Sequence, residues 1–156
     1  MEHPKEVGDR STLAIILALR NAGYGVLMPF GENTRYDLVA EDDNGFSRVQ
    51  CKTGRLRNGA IRFSVCSSYG HHRNPASARR SYEGQIDSFA VFCPETGGVY
   101  LIPVSDVPAR TAAFLRFDPP LNNQQNRIRH AEDYKIGRIA IEVPLTADYC
   151  RTSRPF

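Results

Sequence analysis

The chain reads as an α/β protein of the α+β kind, one domain over residues 1–156, and three features predict this. A helix-sized apolar stretch opens the sequence. A meander of short alternating strands with tight turns follows it. A second strand pair comes after a polar, basic segment near residues 68–81.

The helix is expected from about Arg10 to Ala22, with Asp9 as its N-cap and Gly23 as its stop. Leu13, Ala14, Ile16 and Leu17 recur at helical spacing, and Ile15 and Leu19 widen the apolar face, which predicts a well-buried helix. Strands are expected over 24–29, 36–41, 46–52 and 60–67. Asp42-Asp43-Asn44-Gly45 joins the second to the third, because Asn-Gly takes up positive φ at little cost, and 54–59 forms another turn. Residues 86–93 and 99–104 form a further pair across Pro94-Glu95-Thr96-Gly97-Gly98. Short helices are expected from Ser105 or Asp106 to Ala113 and over 128–134. The amide-rich run 122–126 reads as a loop, and the last twenty residues carry no clear pattern.

Composition excludes some classes. Hydrophobic residues make up 41% and charged residues 24%, ordinary for a globular chain. No apolar run approaches the roughly 20 residues needed to cross a bilayer, and residues 1–6 lack the apolar core of a secretion signal, so a cytoplasmic protein is expected. Cys51, Cys66, Cys93 and Cys150 form no CxxC pair and read as free thiols.

The net charge is only +3, but its distribution is uneven. From Phe46 to Tyr82 there is no acidic residue, while Arg48, Lys52, Arg55, Arg57, Arg62, Arg73, Arg79 and Arg80 fall in that stretch. A block of one sign favours a polyanionic partner; the other reading is a solvated basic loop.

The first hairpin gathers reactive groups. Side chains alternate along a strand, so Gln50 and Lys52 share one face while Val49 and Cys51 take the other. The turn folds Asp37 back opposite Gln50–Lys52, bringing an acid, an amide and a lysine to one sheet edge. Phosphodiester hydrolysis needs such a set. Asp37 supplies an anionic oxygen to a hard cation, the Gln50 amide oxygen and Cys51 backbone carbonyl add neutral ones, and Lys52 stabilises developing charge. The alternative is an Asp37–Lys52 cross-strand salt bridge worth about 0.2–1 kcal/mol.

Tyr36-Asp37-Leu38-Val39, a hairpin, then Val49-Gln50-Cys51-Lys52-Thr53-Gly54 resembles the PD-(D/E)XK nuclease superfamily. It is most similar to the homing-endonuclease branch with Gln in the third motif position. The segments 29–35 and 5–11 carry the same resemblance, and Tyr82, Asp87 and the Cys93-Pro94-Glu95-Thr96 turn continue it more weakly. The resemblance implies a restriction-endonuclease-like mixed sheet flanked by helices, and DNA hydrolysis with Mg²⁺ or Mn²⁺. It also makes Asp37 the metal-binding acid, Gln50 the variant third-motif residue and Lys52 the catalytic lysine. One departure stands out: Thr12 occupies the place where the family carries a helix glutamate. Glu6, just before the expected helix, is the candidate substitute.

Arg35, Arg55 and Arg57 flank the motif and suit phosphate contacts, with Arg73, Arg79 and Arg80 in the basic segment as further DNA contacts. Cutting both strands requires two active sites, so a homodimer or higher homo-oligomer is expected. Three functions remain open: a metal-dependent DNA endonuclease, a weak or inactive DNA-binding protein on the same fold, and a scaffold for an acidic protein.

Overall fold

A computed structural model describes residues 3–68, 79–107, 111–119, 122 and 128–139. Its single α-helix among these residues, α1, spans Pro4–Asn21, starting well ahead of the expected Arg10. His3 is the N-cap, its Nδ1 accepting from the Lys5 N–H at 3.3 Å. Pro4 then takes the first helical position, where its missing N–H and fixed φ cost nothing. Asp9 is therefore inside the helix, and its carboxylate is not a cap. The buried face is Ser11, Ala14, Ile15, Ala18 and Leu19. Leu13 and Leu17, expected in the core, are 66% and 49% exposed.

The central sheet has six strands: β1 (Gly25–Leu27), β2 (Leu38–Asp42), β3 (Gly45–Thr53), β8 (Ser88–Cys93), β9 (Gly98–Pro103) and β11 (Lys135–Arg138), in that spatial order. All neighbours are antiparallel except β3 and β8, so the sheet is mixed, as expected. At the first hairpin Asp42 pairs with Gly45. The Asn44 N–H bonds Asp42 Oδ1 at 2.9 Å, and Gly45 alone takes the positive φ, at 118°.

At Gly54 the chain leaves the central sheet. A Cβ there would lie 2.7 Å from Ile61 Cγ2 and 2.8 Å from Val91 Cγ1, so only glycine fits the bend. The expected turn over 54–59 is mostly strand. β4 (Arg55–Arg57) and β5 (Ala60–Ser64) form a hairpin whose turn is Asn58-Gly59, with φ of 50° and 72°. β10 (Ala112–Arg116) adds to β5 and completes a three-stranded sheet in the order β10-β5-β4. The helix expected up to Ala113 is instead a short 3₁₀ turn, Val104–Asp106, followed later by β10. Its alternating pattern explains why: Ala113 and Leu115 face inward while Phe114 faces out. The helix expected over 128–134 shortens to a 3₁₀ turn, Ala131–Tyr134, leading into β11. The fourth strand breaks at Val65, after which β6 (Cys66–Ser68) pairs with β7 (Arg79–Ser81). The rest of the basic segment and the last seventeen residues lie outside the described residues.

Two apolar layers cover the central sheet. One holds Ala14, Ile15, Ala18 and Leu19 of α1 against Leu38, Ala40, Val49, Cys51, Ala90, Phe92 and Val99. The other holds Ile61, Phe63, Ala113 and Leu115 of the small sheet against Phe89, Val91, Tyr100 and Ile102, with Tyr82 and Ile86. The helix thus covers one face and the small sheet the other. β8 supplies both layers in alternation, which is why it reads as an unbroken apolar run.

Candidate active site

The site forms where β3 outruns its partner. β2 is five residues long and β3 nine, and their ladder ends at Leu38 opposite Val49. Beyond that point the β2-side edge of β3 is open. Asp37, one residue before the ladder, donates its own N–H to Val49 O at 2.9 Å. Its carboxylate then takes the free backbone donor: Oδ2 accepts from the Cys51 N–H at 2.8 Å and from Gln50 Nε2 at 2.6 Å. Both bonds fall on one oxygen, and Oδ1 has no donor among the described residues. Burial pushes the Asp37 pKa upward, against the lowering influence of the Cys51 N–H, the Lys52 charge and the Gln50 amide.

Lys52 lies on the face away from the helix. Its Nζ donates to Tyr82 Oη at 3.2 Å, reaches Cys66 O at 3.5 Å, and sits 4.7 Å from the Tyr82 ring centre. Tyr82 is buried and packs edge-on against Phe89, with ring centres 5.7 Å apart. It fixes Lys52 from below. A tyrosine thirty residues downstream is beyond the reach of strand periodicity, although its place in the family resemblance was a signal.

Around Asp37 lies a cleft of about 320 Å³, walled by Lys5, Gly8, Asp9, Ser11 and Thr12 of α1 and by Asp37, Cys51, Lys52 and Thr53. Lys5, Gly8, Asp9 and Thr12 fall at helical spacing on one face of the helix. Thr12 is present, but its hydroxyl donates to Gly8 O at 3.1 Å. Cys51 is buried, which drives its thiol pKa upward and leaves it inert as a nucleophile. Ser11 Oγ meets Thr53 Oγ1 at 2.6 Å and pins the helix to the end of β3. Glu6 lies in the first turn of α1, not before it, and does not line the cleft. Asp9 does line it. In the sequence, the cap role that suits Asp9 hides it as a cleft residue; Pro4, which favours the first helical position, is the signal that places Asp9 inside the helix.

The arginines divide. Arg35 is engaged within the fold: its guanidinium donates to Gln85 Oε1, to Ser67 Oγ at 2.9 Å and to Ser81 O at 3.0 Å, and lies 4.4 Å over the Tyr82 ring. Arg55 and Arg57 are exposed on β4, and Arg80 is exposed on β7 opposite Ser67. Arg73 and the side chain of Arg79 lie outside the described residues. Arg48 forms a fork with Asp87, Nη2 to Oδ1 at 3.0 Å and Nε to Oδ2 at 3.1 Å, which ties β3 to the start of β8.

A sequence profile of the PD-(D/E)XK endonucleases matches residues 2–137. The chain belongs to the PD-(D/E)XK endonuclease family. Among solved structures, a bacterial homing endonuclease, I-Ssp6803I, is similar to it with a TM-score of 0.67 and 24% sequence identity, covering 86% of this chain and 89% of that one. That likeness supports the restriction-endonuclease-like mixed sheet. Among curated proteins, none matches the chain.

No group of three or more His, Cys, Asp or Glu side chains gathers as a metal centre among the described residues. The donor set nevertheless fits a hard cation. Mg²⁺ keeps several waters and commonly needs only one or two carboxylates, and this cleft offers Asp37 and Asp9 as oxygen donors.

Proposed function

We propose that this family member is a metal-dependent DNA endonuclease. The observation carrying the reading is the Asp37–Gln50–Lys52 set at the overhanging edge of β3, with Asp37 and Lys52 lining a cleft roofed by α1 and Gln50 bonded to Asp37 beside it. A divalent ion bound there, Mg²⁺ or Mn²⁺, supplies Lewis-acid activation of the scissile phosphate and its attacking water. Asp37 is the principal anionic ligand. The Gln50 amide presents nitrogen to Asp37 in this arrangement, and a half-turn about its last bond would present oxygen. The Cys51 backbone carbonyl is a neutral donor. Asp9 supplies the second carboxylate where Thr12 cannot. Lys52, steadied by Tyr82, stabilises the negative charge that builds on the phosphate oxygens. Cutting both strands of a duplex requires a homodimer or higher homo-oligomer. No helix among the described residues is long and apolar enough to cross a membrane, and a cytoplasmic location suits a DNA substrate.

The test is incubation with supercoiled plasmid and with a branched DNA, in Mg²⁺, Mn²⁺ or EDTA. Metal-dependent cleavage should fall about 10²–10³-fold in Lys52→Ala and disappear in Asp37→Ala. Asp9→Asn should weaken Mn²⁺ binding in a calorimeter, while Glu6→Gln should not. The second reading is a weak or inactive DNA-binding protein, favoured by the commitment of the Thr12 hydroxyl to Gly8 O. A folded protein that binds DNA but never cuts it would establish that reading.

A further inference from the structure

The small sheet has a face that neither the cleft nor the core uses. Ile61, Phe63, Ala113 and Leu115 point inward, so alternation sends Arg62 outward on β5. Leu56 packs against the core, so Arg55 and Arg57 flank it on the outward side of β4. Arg55 and Arg62 are direct cross-strand partners. Together with Thr53 and Thr111, the three arginines line a groove of about 540 Å³.

That arrangement is costly on its own. Like charges directly opposite one another destabilise a sheet. The acidic residue that answers them is Glu95, 3.6 Å from Arg55. Among the described residues no carboxylate pairs with Arg57 or Arg62. Opposite Arg62 on the other side, β10 presents Phe114, 52% exposed. Nothing among the described residues explains an unbalanced arginine cluster set on paired strands beside an exposed ring.

The groove also has a position relative to the cleft. Thr53 lines both. Gly54 turns the chain immediately after it, so the arginine face continues from the end of β3 that carries Lys52. Arg55 and Arg57, two residues apart on one strand face, stand roughly 6.7 Å from each other, far enough to take separate phosphates.

We propose that the outward face of the β4-β5-β10 sheet is a second, non-catalytic binding site for the nucleic-acid backbone. It holds phosphates flanking the one in the cleft through Arg55, Arg57 and Arg62. The inference rests on the nuclease reading for the identity of the polyanion. The contacts are to phosphates, so the site adds affinity and register without choosing a sequence.

The experiment measures binding of a fluorescent duplex in EDTA, across a salt series, for wild type, Arg55→Gln/Arg57→Gln/Arg62→Gln and the triple lysine variant. Each lost phosphate contact removes about 0.9 from the log–log salt slope, so the glutamine variant should bind more weakly with a slope shallower by about 2–3. The lysine variant should keep the wild-type slope. The melting temperature of the glutamine variant should equal or exceed that of wild type, since the repulsion is relieved. An unchanged slope, or a glutamine variant that melts early, would overturn the proposal. So would poly-glutamate binding as tight as duplex at equal salt, which would point to an acidic protein. Plasmid cleavage lost in Lys52→Ala alongside an unchanged glutamine-variant slope leaves the nuclease reading standing and sinks only this site. Wild type that neither binds nor cuts DNA overturns both.

Discussion

The two faces of the central sheet are packed with side chains of different size. Under α1 the contacts include Ala14, Ala18, Ala40 and Ala90. Under the small sheet they include Phe63, Tyr82, Phe89 and Tyr100. Small residues bring the helix close to β3, close enough for Ser11 to bond Thr53 and for Asp9 to wall the same cleft as Asp37. Aromatic residues build a thick layer on the other face, and from that layer Tyr82 rises to hold Lys52. The acid side of the site is thus positioned by thin packing and the cationic side by thick packing.

The largest effect should come from thinning the thick layer. Phe89 is buried and touches both Phe63 and Tyr82, with ring centres 6.0 and 5.7 Å away. Phe89→Ala should cost about 3–5 kcal/mol by denaturant unfolding. Cleavage should fall further than the folded fraction does, because Tyr82 loses its support. Equal losses would separate Lys52 placement from that packing.

Thickening the thin layer is the converse. Ala18 is buried on α1, and Gly137 of β11 lies so close that a Cβ added there would meet Ala18 Cβ at 3.4 Å. Ala18→Leu should cost about 1–3 kcal/mol through overpacking. It should also lift the helix from β3, lowering Mn²⁺ affinity while the basic groove keeps its affinity for DNA. Full metal affinity in that variant would show that helix proximity is irrelevant to the site.

The next effect is smaller and concerns charge. Burial raises the Asp37 pKa, so the folded state holds that proton more tightly than the unfolded state. Its contribution is favourable below the ordinary aspartate range and is lost as pH rises through the folded pKa. Asp37→Asn should therefore melt higher than wild type at pH 7, with the gap closing as pH falls toward 3. The side chain is only part-buried, so screening limits the rise to roughly 1–2 °C. Added Mg²⁺ should raise the melting point of wild type alone. A variant that melts lower at pH 7 would show that the hydrogen bonds to Gln50 and Cys51 outweigh desolvation.

Asp87 gives the smallest effect, with the opposite sign. The hydrogen bonds from Arg48 hold its carboxyl below the usual range. Its stabilisation is present at neutral pH and fades as pH falls through the lowered pKa. Both partners are about two-fifths exposed, so Asp87→Asn should shift the melting point barely beyond measurement error at pH 7 and not at all at pH 2.

Local chemistry explains what was legible in the sequence. The hairpin and its Asp37–Gln50–Lys52 convergence follow from period-two alternation and one Asn-Gly turn, both short-range signals. The helix register was harder. Leucines drew the predicted stripe to Leu13 and Leu17, whereas close packing on β3 selected the alanines. β10 was hidden because Ala112–Arg116 is five residues long and acquires its meaning only by pairing with β5. The parallel join of β3 to β8 and the Tyr82 support depend on contacts across thirty residues or more, which no local pattern encodes, whereas the arginines of the basic groove meet across the short Asn58-Gly59 hairpin that a reading of 54–59 as a plain turn conceals.

The overhang of β3 beyond β2 has a consequence for how such a protein can be altered. An unpaired strand edge ordinarily invites another strand, and here a single carboxylate occupies it. Growing β2 backward by two residues would complete the ladder and satisfy the Cys51 N–H with a carbonyl. That change would tidy the fold and remove the open edge on which the proposed metal site depends, so the chemistry proposed for this sheet requires that it be left unfinished.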